Sequence, residues 1–406
     1  MDVILIAWRN LWRNKRRTLI TATSVFFAIW FALIMRAFQL GSYDLMVNNI
    51  VHSYSGYFQV HARGYWDHKL LDNGFIYNVK LKNALDSSAG TYGYALRLES
   101  FALASYGLQT RGVMVDGIDP VAENRLTSLK KKLVNGRYLD PFDSGALVSH
   151  RLATHLKIHI DDTLVIIGQG YHGYSAAGVF PVRGIVNFPS PNLDGRLVLI
   201  SLSAARNLFS ADSMLTSIAF NVKDPDSYNK AAIQLRDRLD PGNYEVLTWD
   251  EMMPDVVQQI RADSVSGLIM LGILYMIVGF GIFGTMLMML NERSREFGMM
   301  VAIGVQKSKL TLIMLAEILF LGLLGIVAGV VAAIPPIYYF YIHPITLTGK
   351  MADSMIHMGF EPLMPAAWRV SYFIAQSSVV LAIICIVMLL PVLKIRKLEV
   401  INALQH

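Results

Sequence analysis

Four apolar stretches, each long enough to cross a bilayer, decide what this chain can fold into. About 20 helical residues span the hydrocarbon core. Residues 18–40, 264–290, 310–340 and 371–393 contain such runs, and nothing between 41 and 263 does. The expected architecture is a membrane α-helical protein of four transmembrane helices. A large α+β domain, residues 41–263, is inserted between helices 1 and 2. Only 16% of the 406 residues are charged, against about a quarter in a soluble domain, and the four stretches hold that deficit. The first is too long for the apolar core of a cleaved signal and lacks a small-residue cleavage site, so it is expected to be retained. The one cysteine, Cys385, lies in an apolar run and excludes an intrachain disulfide.

Basic residues set the topology. Arg9, Arg13, Lys15, Arg16 and Arg17 precede the first span. Arg293, Arg295, Lys307 and Lys309 lie between the second and third, and Lys394, Arg396 and Lys397 follow the fourth. Four crossings put all three groups on one side, which the positive-inside rule assigns to the cytoplasm. Residues 1–17, 291–309 and 394–406 are therefore expected inside, with both termini. The 41–263 domain and the 341–370 loop are expected outside. The net charge of +6 then belongs to lipid headgroups and topology, and no nucleic-acid partner is expected. Leu5, Trp8 and Trp12 recur at helical spacing among arginines, as in an amphipathic helix lying in the headgroup layer. Such a helix is either a plain anchor or a lever moved by a cytoplasmic partner.

The outer block alternates β-rich runs (56–61, 112–116, 163–167, 196–200) with helical candidates (149–156, 201–209, 227–239). Residues 250–266 read as one helix running into the second span.

No Gly-x-x-x-x-Gly-Lys-Ser/Thr loop occurs, since Gly349-Lys350 lacks the glycine lead-in and is followed by Met351. His150, His155 and His159 lack a carboxylate motif, and no Gly-x-Ser-x-Gly elbow exists. The expectation is a chain that is not an enzyme, with no catalytic residue, metal or cofactor of its own. Charge inside a span is a functional candidate by default. Arg36 sits where it snorkels to the outer headgroups, and Glu317 suits either pairing with a basic residue of the preceding loop or transmission of movement. Gly325 and Gly329 make a small face for close helix approach. Aromatic and methionine side chains crowd the first two spans, and such surfaces adapt to variable apolar ligands as well as to lipid.

The layout and three motifs resemble the MacB, LolC/LolE and FtsX superfamily, the type VII ABC transporter permeases. Ala7-Trp8-Arg9-Asn10-Leu11-Trp12-Arg13-Asn14-Lys15-Arg16-Arg17-Thr18 is similar to its N-terminal signature. Residues 291–304 are similar to its cytoplasmic coupling segment, with Phe297 where isoleucine is usual. Residues 391–404 resemble its C-terminal motif. The order Gly117-Ile118-Asp119-Pro120, Asn135-Gly136-Arg137 and Asp161-Asp162 is closest to the LolC/LolE lipoprotein-releasing branch, with Asp161 where glycine is usual. Only a short segment precedes the first span, where MacB carries its ATPase.

The resemblance implies a permease in the bacterial inner (cytoplasmic) membrane. It would couple ATP hydrolysis by a separate cytoplasmic ABC ATPase dimer, which binds the ATP and Mg, to extraction of lipoproteins or another lipid-anchored substrate from the outer leaflet. ATPase coupling would fall to Glu292, Arg293, Arg295, Glu296, Phe297, Gly298, Met299 and Gly304. Acyl chains would meet Trp30, Phe31, Met35, Phe38, Met270 and Tyr275 between paired permeases, the second being a copy or a paralogue. A hairpin with Tyr171, His172 and Tyr174 would meet a periplasmic lipoprotein chaperone. The alternative is a mechanotransmission subunit, as in MacB-like efflux, that works a periplasmic partner without moving substrate through itself.

Overall fold

The computed structural model describes residues 3–13, 15–86, 91–357, 361–389 and 392. Apart from Val392, the C-terminal motif and the basic tail lie outside the described residues. The chain forms two compact units. One comprises Met1–Asp44, Gln259–Thr346 and Leu363–His406, and the other Leu45–Gln258 and Leu347–Pro362.

Four helices have the length and apolarity to cross a membrane. The first runs Lys15–Ile50 and tightens into a π-helical turn, Val51–Ser55. The second is Pro254–Glu292, the third Lys307–Ile342 and the fourth Val370–Val387. At 1.5 Å per residue the first is about 54 Å long, well past a hydrocarbon core of about 30 Å.

Residues 250–266 are not one helix. A short turn, Trp249–Met252, stops at Met253 (φ −127°, ψ 61°), and the second span begins afresh at Pro254. Proline has no N–H to continue a helix, and its ring drives the preceding residue out of the α region. The third span instead carries Pro335 and Pro336 inside it. Pro336 deprives the Ala332 carbonyl of its helical donor, and the Trp30 indole Nε1 donates to that carbonyl at 3.3 Å. Ala7 and Leu11 of the N-terminal helix Val3–Arg13 are buried, and Trp8 meets Phe320 edge-on at 5.9 Å.

The second unit is built on a mixed sheet. Its main strands are β1 Phe58–Ala62, β2 Thr91–Tyr106, β3 Gln109–Ile118, β4 Leu133–Gly136, β5 Ala146–Ser149, β6 Thr163–Gln169, β7 Ser175–Val186, β8 Leu197–Ser201, β9 Ser217–Val222 and β10 Tyr244–Thr248. Their order is β10-β1-β9-β2-β3-β8-β5-β7-β4, with β6 pairing β2 and β7. Only β3/β8 and β5/β7 are parallel among the described pairs. The expected β-rich runs all fall on strands. The helical candidates become His150–Leu156, Leu202–Phe209 and Tyr228–Arg236.

Gly117-Ile118-Asp119-Pro120 has a local reason. A Cβ on Gly117 would stand 2.2 Å from Ala205 Cβ, so glycine lets the helix Leu202–Phe209 seat on the sheet. Ile118 is wholly buried. The Asp119 carboxylate accepts from the Val121 and Ala122 amides, with Pro120 at the first helical position.

Candidate coupling site

The segment after the second span folds as a helix, Ser294–Ala302. It is held from two sides. Arg293 Nη1 donates to Glu317 Oε2 at 2.6 Å, and both side chains are about 5% exposed. This joins the segment to the third span within low-dielectric surroundings, where an ion pair persists only if both charges stay together. On the other side Arg13 Nη2 donates to both Glu296 oxygens at 3.0 and 3.2 Å. That pair is half exposed and worth little by itself. The Thr18 hydroxyl donates to the Leu11 carbonyl at 2.7 Å and so ties the start of the first span to the N-terminal helix.

The eight expected coupling residues therefore divide. Glu292, Arg295 and Met299 are exposed. Phe297 and Gly298 turn inward, and Phe297 joins the membrane unit's apolar core. Arg293 and Phe297 are buried, and Glu296 is half exposed in its pair with Arg13. Gly304 (φ 101°) ends the segment in a conformation that only glycine adopts without strain.

The expected acyl contacts divide as well. Phe31 and Met270 are exposed and Met35 is half-buried. Trp30 is committed to Ala332, Phe38 lies 5.5 Å from the Phe340 ring, and the Tyr275 hydroxyl donates to Gln376 of the fourth span. An apolar groove of about 460 Å³ opens between the second and fourth spans, walled by Tyr275, Met276, Phe280, Phe283 and Ile386 over Gly272. Gln376 was not singled out in the sequence. A glutamine in an apolar run was the available signal.

In the hairpin, Tyr171 packs on the domain core and His172 adopts φ 52°. The His172 amide donates to Asp72 at 2.7 Å. Tyr174 projects at 67% exposure, and His172 is exposed beside it.

Two family models match this chain. Residues 18–238 match the family described as MacB-like periplasmic core domain, and residues 268–400 match FtsX-like permease C-terminal. The chain is similar to an uncharacterized ABC transporter permease of Methanocaldococcus jannaschii, 23% identical over 47% of this chain and 45% of that protein. It is also similar to an uncharacterized ABC transporter permease protein of Mycobacterium tuberculosis, 25% identical over 58% of this chain and 27% of that one. The chain thus spans less than half the length of these curated relatives. Among solved structures, the periplasmic region of MacB from Actinobacillus actinomycetemcomitans is 12% identical with a TM-score of 0.36, covering 52% of this chain and 95% of that one. The extracellular domain of the noncanonic ABC-type transporter YknZ from Gram-positive bacteria is 14% identical with a TM-score of 0.32, covering 43% and 90%.

Proposed function

We propose, because the chain belongs to the family of FtsX-like permeases bearing a MacB-like periplasmic core domain, that it is the membrane subunit of an ATP-driven transporter acting on lipid-anchored substrates. The observation that carries this reading is the helix Ser294–Ala302, which exposes Arg295 and Met299 beside the exposed Glu292 at the end of the second span, while Arg293 at its start is bonded to Glu317 inside the third span. A load applied to the exposed side reaches the membrane helices through an ion pair that is costly to break. Glu317 is in this account the transmission residue. The load would come from a cytoplasmic ABC ATPase dimer that binds ATP and Mg.

In this reading the N- and C-termini face the cytoplasm of a bacterium, and the sheet domain faces the periplasm. A second permease, a copy or a paralogue, completes the membrane part. Lipoproteins are the proposed substrates. The exposed Phe31 and Met270 and the groove beside Tyr275 and Met276 are adaptable apolar surfaces at membrane level, suited to acyl chains of differing length. Tyr174 is the exposed contact for a periplasmic chaperone.

The test is quantitative proteomics of separated inner and outer membranes after depletion of the chain. Lipoproteins should accumulate in the inner membrane while other outer-membrane proteins stay in place. An unchanged lipoprotein distribution would remove this substrate class and favour control of a periplasmic partner.

A further inference from the structure

The sheet domain holds a buried charged cluster that the transport reading does not use. Arg97, on β2, is wholly buried. Its Nε and Nη2 donate to the two oxygens of Glu123 at 3.0 and 2.7 Å. Nη2 also donates to the Tyr54 carbonyl at 2.6 Å, and the guanidinium lies over the Tyr54 ring at 4.3 Å. Lys132 Nζ donates to the His52 and Ser53 carbonyls at 3.0 and 3.2 Å and to Thr127 at 2.9 Å. His52, Ser53 and Tyr54 belong to the final π-helical turn of the helix that begins at Lys15. A helix end leaves its last carbonyls without partners and carries partial negative charge. Here two cations from the sheet domain take up three of those carbonyls in succession.

The weak points of this arrangement are Arg97 Nη1, which is buried without a hydrogen-bond partner among the described residues, and Asp116. Asp116 is 0% exposed, and among the described residues neither carboxyl oxygen has a hydrogen-bond partner. It stands directly opposite Glu99 in the β2/β3 register, where two like charges repel. Glu99 itself accepts from the Tyr54 hydroxyl at 2.6 Å. Arg97 Nε is 3.8 Å from Asp116 Oδ2, within attraction but beyond hydrogen bonding. The groups facing Asp116 are Glu99 and Arg97 from β2, Glu123 from the helix Pro120–Thr127, Tyr54 from the π-turn and Tyr65 from the helical turn Tyr65–His68. Burial first, and then the Glu99 charge, push the Asp116 carboxyl well above the ordinary carboxylate range.

We propose that Asp116 is a proton-operated latch. While it keeps its proton, Arg97 serves Glu123 and the Tyr54 carbonyl; when the proton leaves to solvent, the new carboxylate draws Arg97 off that carbonyl and loosens the π-turn.

The direction follows from linkage. A carboxyl whose proton is held more tightly in the closed state than in an opened, hydrated one stabilises the closed state at low pH. That stabilisation is lost as pH rises through its closed-state value. Lys132 acts the other way, since burial lowers its ammonium to about 8 and opening would restore it. His52, in the turn itself, acts in the same sense as Lys132 at lower pH, since burial and then the Lys132 charge lower its imidazole. The measurement therefore stays below pH 8 and is made throughout in a His52→Gln background.

The full-length protein in lipid nanodiscs is followed by hydrogen–deuterium exchange of peptides covering residues 51–57, corrected for intrinsic rates. The opening equilibrium should rise with pH by up to about tenfold per unit inside the window. Asp116→Asn should abolish the slope, whereas Lys132→Met should raise exchange at every pH and keep the slope. A flat profile with Asp116 in place, or a slope that survives Asp116→Asn, overturns the proposal. Infrared spectroscopy with Asp116 in place keeps the test open if Asp116→Asn does not fold. A protonated carboxyl band titrating together with the exchange slope supports the latch, and its absence at the acid end of the window overturns it.

Discussion

Arg293 is buried and bonded to Glu317 at 2.6 Å, in a segment whose other charges are exposed or half exposed. The sequence contained half of this, because a carboxylate early in an apolar span demands a partner. Which arginine answers depends on how the chain turns after the second span, and that lies beyond local pattern. Removing one member of a buried pair leaves an uncompensated charge, at a cost of about 3–5 kcal/mol, while removing both costs far less. Glu317→Gln should therefore lower the thermal unfolding midpoint in detergent markedly. Adding Arg293→Met to it should restore most of the loss. Equal midpoints for the single and double variants would mean that the pair is not the joint.

Asp161 was legible only by comparison with its family. It occupies a position where glycine is usual and has φ 66°, a left-handed conformation that aspartate tolerates better than most residues. The Tyr275 hydroxyl donates to Gln376, a polar partner on another helix 101 residues away that no local pattern registers, while its ring still walls the apolar groove.

Among the elements, the four spans were fully legible, because apolar length alone identifies them. Their ends were not. The first span was expected to stop at residue 40, but its helix continues to Ile50, since the polar residues after Gly41 include no proline or capping signal strong enough to end it. At residues 250–266 the continuous helix is broken by Pro254, which ends the turn Trp249–Met252 and starts the second span. Pro335 and Pro336 had a readable consequence, an orphaned carbonyl at Ala332, but its partner Trp30 lies on another helix.

The small face of the third span was correctly placed as a packing surface. A Cβ on Gly325 would stand 2.6 Å from Val25 Cβ, and one on Gly329 would stand 2.9 Å from the Phe26 carbonyl. Gly325→Leu should force the first and third spans apart and cost about 1–3 kcal/mol or more. Loss of disulfide trapping between cysteines placed on those two spans would report it. Undiminished trapping would show that the approach is not tight.

For the whole molecule, the sequence conveyed the plan of one span, a large α+β insertion and three further spans. The alternation of strands and helices in the insertion was also visible, but the sheet order was not, because β2 pairs with β9 and β6 as well as with its neighbour β3. Such long-range pairings are set by side-chain burial across the sheet and leave no local signature. The coupling site was half legible for the same reason. Its motif marked the segment, whereas the division into outward Glu292, Arg295 and Met299 and inward Arg293 and Phe297 required the fold.

The central claim is that this outward side receives a cytoplasmic ATPase. The most direct measurement is affinity purification of the full-length chain from its own membranes, with co-purifying proteins identified and ATP hydrolysis assayed. An ABC ATPase should co-purify in stoichiometric amount with the wild type. That protein and the hydrolysis should be lost with Arg295→Glu combined with Met299→Asp, at unchanged yield of the chain itself. A wild-type preparation without an ABC ATPase, or a variant that keeps it in full, would contradict the account.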